Sequence, residues 1–376
     1  MPGRNEVIAI DSLIGLEPLW RPLTLTPMNG WHAIASLFAP FAVLLLGVQL
    51  SRDDLFRLLP VLIGLGALSG LFGLLQAISG GNPVLYFYRI TNNGSAVGLF
   101  ANRNHAAALL ACLFPMLAAF TAITFGSVDR QRSRQILAAA IGIVLIPLIL
   151  VTGSRSGLLL AVIGLMGAAM LYRQPLTGRP VRRSAMQWKF TAAPLLAGVT
   201  IVCLGLLSLY FSRAEAVERL FLHSAGDDGR AQFWLIAVDL FWKYFPVGSG
   251  SGSFVEAFQI AEPNRQLDST YLNRAHNDWL ETAVTFGVPG ILLLVVALVA
   301  YVKKGYFAWF CADPLRRATV MARMASLAII ILAIASAFDY PLRTPTMMCI
   351  FVLLTLWLAE SGRLHSRVED ISGVER

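Results

Sequence analysis

The chain has 376 residues, 56% of them hydrophobic and 14% charged, with a mean hydropathy of +0.66. A soluble domain carries roughly a quarter charged residues, so this composition excludes an ordinary soluble protein and leaves little room for a separate soluble domain. The net charge of +8 does not indicate a nucleic-acid partner, because the basic residues gather in alternate loops between apolar runs, as membrane orientation requires.

Apolar runs near the ~20 residues that cross about 30 Å of hydrocarbon recur along the chain and predict an all-α, polytopic integral membrane protein. About nine transmembrane helices are expected, at 31–50, 56–78, 105–125, 135–151, 156–172, 190–212, 280–302, 320–338 and 344–360. Residues 1–28 contain acids, prolines and no clean apolar core, so they read as an external segment and not as a cleavable signal peptide. Because that segment has the character of an external loop (W-R-P-L-T-L-T-P), one or more upstream spans are expected to be missing. The organisation is then 1–28 external, 29–212 N-terminal membrane helices, 213–279 a long loop, 280–360 C-terminal membrane helices and 361–376 a cytoplasmic tail.

Charge sets the orientation. One set of loops holds Arg52 and Arg57; Arg130, Arg132 and Arg134; Arg173, Arg179, Arg182, Arg183 and Lys189; Lys303, Lys304, Arg316 and Arg317; Arg363 and Arg367. The short loops of the opposite set hold Arg89, Arg103, Arg155 and Arg343. The basic side is cytoplasmic, which places the C-terminus inside and residues 213–275 outside. An arginine at membrane depth costs about 2.5–3.5 kcal/mol on insertion scales and so faces a partner, a watery cavity or the interface. Several at span ends on one face, against the charge bias, are poorly explained by snorkelling alone. The four cysteines (Cys112, Cys203, Cys311 and Cys349) have no paired spacing, and the five histidines form no metal-binding cluster. Neither a disulfide framework nor a metal site is expected.

Within the long loop, G-R-A-Q-F-W-L-I-A-V-D-L-F-W-K-Y-F (229–245) places Phe233, Trp234, Ala237, Leu240, Phe241 and Tyr244 at helical spacing. This predicts an amphipathic helix on the membrane surface. Asp227 or Asp228 would cap it, with Arg230 in its first turn. A cation there opposes the helix dipole unless those aspartates or an anionic ligand neutralise it. The run G-S-G-S-G-S (248–253) lies outside any βαβ unit and is expected to be a flexible turn.

The loop ends in R-A-H-N-D-W-L-E-T-A-V-T-F-G-V-P-G (274–290), which passes directly into an apolar helix. His276, Asn277, Asp278 and Glu281 therefore stand at the boundary between water and lipid. Two readings are open: Asn277 or Asp278 caps the helix, or His276 exchanges protons near neutral pH. Arginines match phosphate oxygens in a bidentate way and stay charged when partly desolvated, so the outer face suits an anionic, diphosphate lipid. No Walker motif or D-x-D is present. The energy for a reaction would then reside in the substrate, as in a glycan activated on a polyprenyl diphosphate.

Five motifs in order, G-L-F-A-N-R-N-H-A-A-A-L-L-A (98–111), T-G-S-R-S-G (152–157), G-R-A-Q-F-W (229–234), F-P-V-G-S-G-S-G-S-F (245–254) and H-N-D-W-L-E with F-G-V-P-G, resemble the bacterial O-antigen ligase and polymerase family over about residues 20–360. The resemblance implies a C-type glycosyltransferase architecture with one long periplasmic loop in the bacterial inner membrane. It implies a metal-independent enzyme without cofactors that takes an undecaprenyl diphosphate-linked glycan to an acceptor hydroxyl, lipid A core or another glycan, at the periplasmic face. It also implies that Arg155 and Arg230 contact the diphosphate, that His276 is the base and that Asn277 and Glu281 orient it. Arg103 and His105 match a motif position and imply donor contact or positioning.

The acceptor separates a ligase from a polymerase of O-antigen or exopolysaccharide, and the shared motifs do not read it. A transporter of lipid-linked glycans would also need arginines, but with polar residues and broken helices at mid-membrane. An inactive scaffold is a third class.

Overall fold

A computed structural model describes residues 4–17, 21–89, 91–123, 128–172, 230–263, 272–313 and 316–360. Among these the chain is helical, with no strand: α1 (Arg4–Leu13), α2 (Pro27–Ala35), α3 (Phe38–Gln49), α4 (Arg52–Ile78), α5 (Arg103–Ala122), α6 (Val128–Val151), α7 (Arg155–Leu171), α8 (Arg230–Tyr244), α9 (Phe254–Ala261), α10 (Asp278–Tyr306), α11 (Arg317–Phe338) and α12 (Pro345–Ala359). Six stretches are long and apolar enough to cross a membrane: Pro27–Gln49, Arg52–Ile78, Arg103–Ala122, Asp129–Val151, Asp278–Cys311 and Arg317–Phe338. Helices α7 and α12 are apolar but shorter, about 25 and 22 Å at 1.5 Å per residue. Eight of the nine expected spans coincide with these helices, and the ninth, at 190–212, lies outside the described residues. Two details differ from expectation. The first apolar run begins earlier, at Pro27, and is divided between α2 and α3; and the N-terminal segment, expected to be an external loop, contains helix α1.

The chain forms two compact units that do not follow sequence order. One comprises Met1–Val43, Ser224–Lys303 and Ser336–Cys349; the other comprises Leu44–His223, Lys304–Ala335 and Ile350–Arg376.

The second unit is centred on α5, which is buried along almost its whole length. Its alanines permit close approach. Gly157 of α7 abuts Ala107, and Gly164 abuts the Ala111 carbonyl, where an added Cβ would lie 2.5 Å away in each case. Contacts that advance together along both helices mean that α5 and α7 run parallel, with their N-termini side by side. Small residues at such crossings are the usual means of packing apolar helices, since lipid-like side chains gain little by exchanging lipid for protein. The loop before α5 is pinned by Gln76 of α4, which is fully buried. Its amide donates to the carbonyls of Leu85 (2.9 Å) and Gly98 (3.1 Å), and its carbonyl accepts from the N–H groups of Val97 (3.0 Å) and Gly98 (2.8 Å). A buried polar group is tolerated when its capacity is filled. At the opposite end, Arg52 pairs with the buried Glu360 at 2.7 Å and the Trp357 indole donates to the Leu55 carbonyl at 3.1 Å, so the start of α4 and the end of α12 are joined.

The first unit has its own core of Ala237, Leu240, Tyr244, Phe254, Ala257, Phe258, Ala275 and Val284. The helix expected within residues 229–245 forms as α8, and Ala237, Leu240 and Tyr244 of its predicted apolar face are buried in this core with residues of α9 and α10. Exposed on α8 are Leu235, Val238 and Trp242. The expected capping residues Asp227 and Asp228 lie outside the described residues.

The Gly-Ser run is likewise a built corner and not a flexible turn. Gly248, Gly250 and Gly252 all have positive φ, and a Cβ at Gly250 would overlap Thr24, so only glycine suits this conformation and this spacing. Helix α10 breaks at Gly287, whose φ is 55° and ψ −138°. Carbonyls freed at the break, Val284 and Thr285, accept from the N–H groups of Ser249 (3.0 Å) and Gly250 (2.8 Å), while Val288 N–H donates to the Pro246 carbonyl at 2.8 Å. Residues 246–250 thus occupy the break and satisfy its backbone. Residues 24–29 close over the same corner: Leu25 N–H donates to Ser249 O at 3.2 Å, Thr24 Oγ1 to Ser251 O at 2.8 Å, and Asn29 Nδ2 to Glu256 Oε1 at 2.5 Å.

Candidate active site

His276 is the one non-glycine residue with positive φ (49°) among the described residues. Such a conformation is uncommon for a residue bearing a Cβ and persists where surrounding contacts over-determine it. Those contacts are present. Nδ1 of His276 lies 3.1 Å from Oδ1 of Asp339, whose side chain is 3% exposed against 23% for the histidine. A carboxylate only accepts, so Nδ1 is the donor in this pair, and in the neutral ring the lone pair lies on Nε2. The Tyr340 ring stands edge-on to the imidazole, with centroids 5.1 Å apart. Asp339 is held in turn by the Tyr340 N–H at 2.9 Å.

Ala275, the residue before the histidine, is held on both sides. Ala275 N–H donates to Glu281 Oε2 at 2.9 Å, and the Ala275 carbonyl accepts from the Trp234 indole at 3.0 Å. Glu281 is fully buried and its Oε1 meets Arg274 at 3.0 Å and Arg343 at 3.3 Å. Asp278 completes the group: Oδ1 lies 3.2 Å from Nε of Arg343, and Oδ2 accepts from Ser336 Oγ at 2.9 Å and Leu342 N–H at 3.3 Å. Two buried carboxylates are therefore matched by two guanidiniums, which a low-dielectric setting demands. Asn277 has a different partner: its Oδ1 accepts from Leu280 N–H at 3.0 Å and its carbonyl from Glu281 N–H at 3.0 Å. It caps α10.

The remaining sequence-derived candidates divide between the units. Arg230 is the first residue of α8, one turn before Trp234, in the same unit as His276, Asn277 and Glu281. Arg103, His105 and Arg155 belong to the other unit. Arg103 and Arg155 are the first residues of the parallel helices α5 and α7, and those two starts are joined by a hydrogen bond from Ser154 Oγ to Asn104 Oδ1 at 2.7 Å. Each start is capped, by Asn102 accepting from Asn104 N–H at 2.8 Å and by Ser154 accepting from Gly157 N–H at 2.9 Å. Both guanidinium-bearing residues are half-buried, and His105 is buried at 2% exposure. Two aligned helix N-termini with an arginine at each form a locally positive surface.

Sequence reasoning gave no site role to Asp339, Tyr340, Trp234 or Arg274, and it read Asp278 only as a candidate helix cap, the position that Asn277 fills. The one available signal was a carboxylate at the end of an apolar run in D-Y-P-L-R-T-P.

The family described as O-antigen ligase matches residues 140–295. That stretch includes the Ser154–Arg155 helix start, helix α8, the Gly-Ser corner and the His276–Glu281 turn; Arg103 and Asp339 lie outside it. Comparison with curated proteins gives no match. The chain thus combines helices long and apolar enough to cross a membrane with a stretch, residues 140–295, that is similar to the O-antigen ligase family.

Proposed function

We propose that this protein transfers a glycan from undecaprenyl diphosphate to an acceptor hydroxyl, that of the lipid A core, at the periplasmic face of the inner membrane. The observation that carries the reading is the pairing of His276 Nδ1 with the buried Asp339 carboxylate, which leaves Nε2 as a proton acceptor in a partly exposed position. In the transfer, the acceptor oxygen attacks the anomeric carbon and gives its proton to Nε2 as the bond to the diphosphate oxygen breaks. Asp339 supports the imidazolium that results. Arg103, Arg155 and Arg230 bear the charge that develops on the departing diphosphate, so the reading assigns no metal and no cofactor. Asn277 and Glu281 act on the turn that carries the histidine, and His105 on the start of α5.

Polymerisation uses the same donor and differs only in its acceptor, another lipid-linked glycan. A lipid-linked glycan transporter is favoured by one observation, the break in α10 at Gly287, since interrupted helices build transport sites. Against it, the backbone groups freed at this break pair with residues 246–250 and are not presented to a substrate.

Reconstitution into liposomes with a polyprenyl diphosphate-linked glycan, with and without lipid A core, separates the three. The proposal expects glycan on lipid A core. Longer chains on the carrier alone would assign a polymerase, and donor crossing the bilayer unchanged would assign a transporter.

A further inference from the structure

We infer that Trp234 is a positioning residue for His276 and ties the geometry of the base to helix α8. The inference rests on the proposed role of His276. The indole N–H of Trp234 donates to the Ala275 carbonyl at 3.0 Å across 41 residues of sequence. That carbonyl belongs to the peptide bond whose nitrogen is the His276 nitrogen, so its orientation bears directly on the positive φ of the histidine (49°). The other side of Ala275 is fixed by Glu281 from α10 at 2.9 Å. The turn is thus gripped from two elements, α8 and α10, and neither grip involves the imidazole itself.

The packing around Trp234 explains why its indole can serve as a fixed donor. On the same helix, Ala237, Leu240 and Tyr244 are buried in the core of the unit, and that core includes Ala275 and Val284. Phe233, the neighbour of Trp234, meets Phe258 edge-to-face with centroids 5.9 Å apart. Helix α8 is therefore anchored along its length, and its first turn carries Arg230.

The substitution Trp234→Phe keeps a ring in place and removes the donor. The left-handed turn then loses one of its two grips, and the imidazole loses register with the acceptor. We expect kcat to fall by about tenfold, as for loss of one hydrogen bond that holds a reacting group, with donor KM within about twofold of wild type because no donor contact is removed. Glu281→Gln keeps an acceptor-bearing side chain of the same length and weakens the other grip. Combined with Trp234→Phe, its effect on kcat should be less than multiplicative, because both act on Ala275. Thermal unfolding in detergent shows whether each variant is folded, and its kinetics are read only on the folded fraction. Unchanged kcat in folded Trp234→Phe, or a rise in donor KM without a fall in kcat, overturns the inference. His276→Ala serves as the separate control: if that variant keeps full transfer, it is the role of His276 that fails, whereas an inactive His276→Ala beside a fully active Trp234→Phe overturns the positioning role alone.

Discussion

Nδ1 of His276 faces Oδ1 of Asp339 at 3.1 Å, although they stand 63 residues apart in the chain with two apolar helices, α10 and α11, between them. On the proposed mechanism the buried carboxylate orients the imidazole and supports the imidazolium formed during transfer. Asp339→Asn keeps the shape and removes the charge. On the proposed mechanism, transfer falls by about 10²–10⁴-fold, the range contributed by a positioned general base, while donor binding is retained. A transfer assay with lipid-linked donor, run beside a donor-binding measurement, checks this; normal turnover in Asp339→Asn would falsify the pairing as a catalytic device.

Arg155 and Arg103 begin two parallel helices whose starts are joined by Ser154 and Asn104. Replacing either arginine by alanine removes a charge-assisted contact to the proposed diphosphate, worth about 1.5–3 kcal/mol. Donor affinity should fall by about 10–100-fold, and by less at high salt, where wild-type binding is itself weaker. The check is titration with an undecaprenyl diphosphate-linked glycan at two salt concentrations. Affinity equal to wild type at low salt would remove these residues from the site.

Glu281 is fully buried and meets Arg274, Arg343 and the Ala275 N–H. Glu281→Ala takes the carboxylate away from Arg274, leaves Arg343 facing Asp278 and removes the acceptor of a buried N–H. Removing one partner from a buried ion network costs about 3–5 kcal/mol, so the variant should unfold at lower temperature in detergent as well as lose activity. A variant that loses activity at unchanged thermal stability would place Glu281 in the chemistry and not in the scaffold.

Gly250 has a φ of 100°, and a Cβ there would overlap Thr24. Gly250→Ala combines a conformation that costs an L-residue about 1–3 kcal/mol with displacement of residues 24–29 from the corner. Limited proteolysis near residues 24–29 should accelerate. Unchanged cleavage would mean that the corner tolerates a side chain and that its glycines are there for another reason.

What the sequence by itself determined is whatever depends on local composition and period. Apolar runs of membrane length, the charge bias between loops, the helix at 230–244 and the polar turn at 274–281 are all visible there, because hydropathy and helical spacing act over a few neighbouring residues. The motifs around Arg155, Arg230 and His276 pointed to the family that residues 140–295 match. Only the tertiary structure decided which groups meet. Asp339 became the partner of His276, Glu281 the anchor of Ala275 and two arginines, and the Gly-Ser run a filled corner at the break in α10. None of these has a local signature: a carboxylate 63 residues away is selected by the folding together of α10 and the turn after α11. The face of α8 is the plainest case, since its apolar spacing is the same whether it rests on lipid or on Phe254 and Phe258. Hydrophobic burial is non-directional, and only the neighbours supplied by the fold decide what covers it.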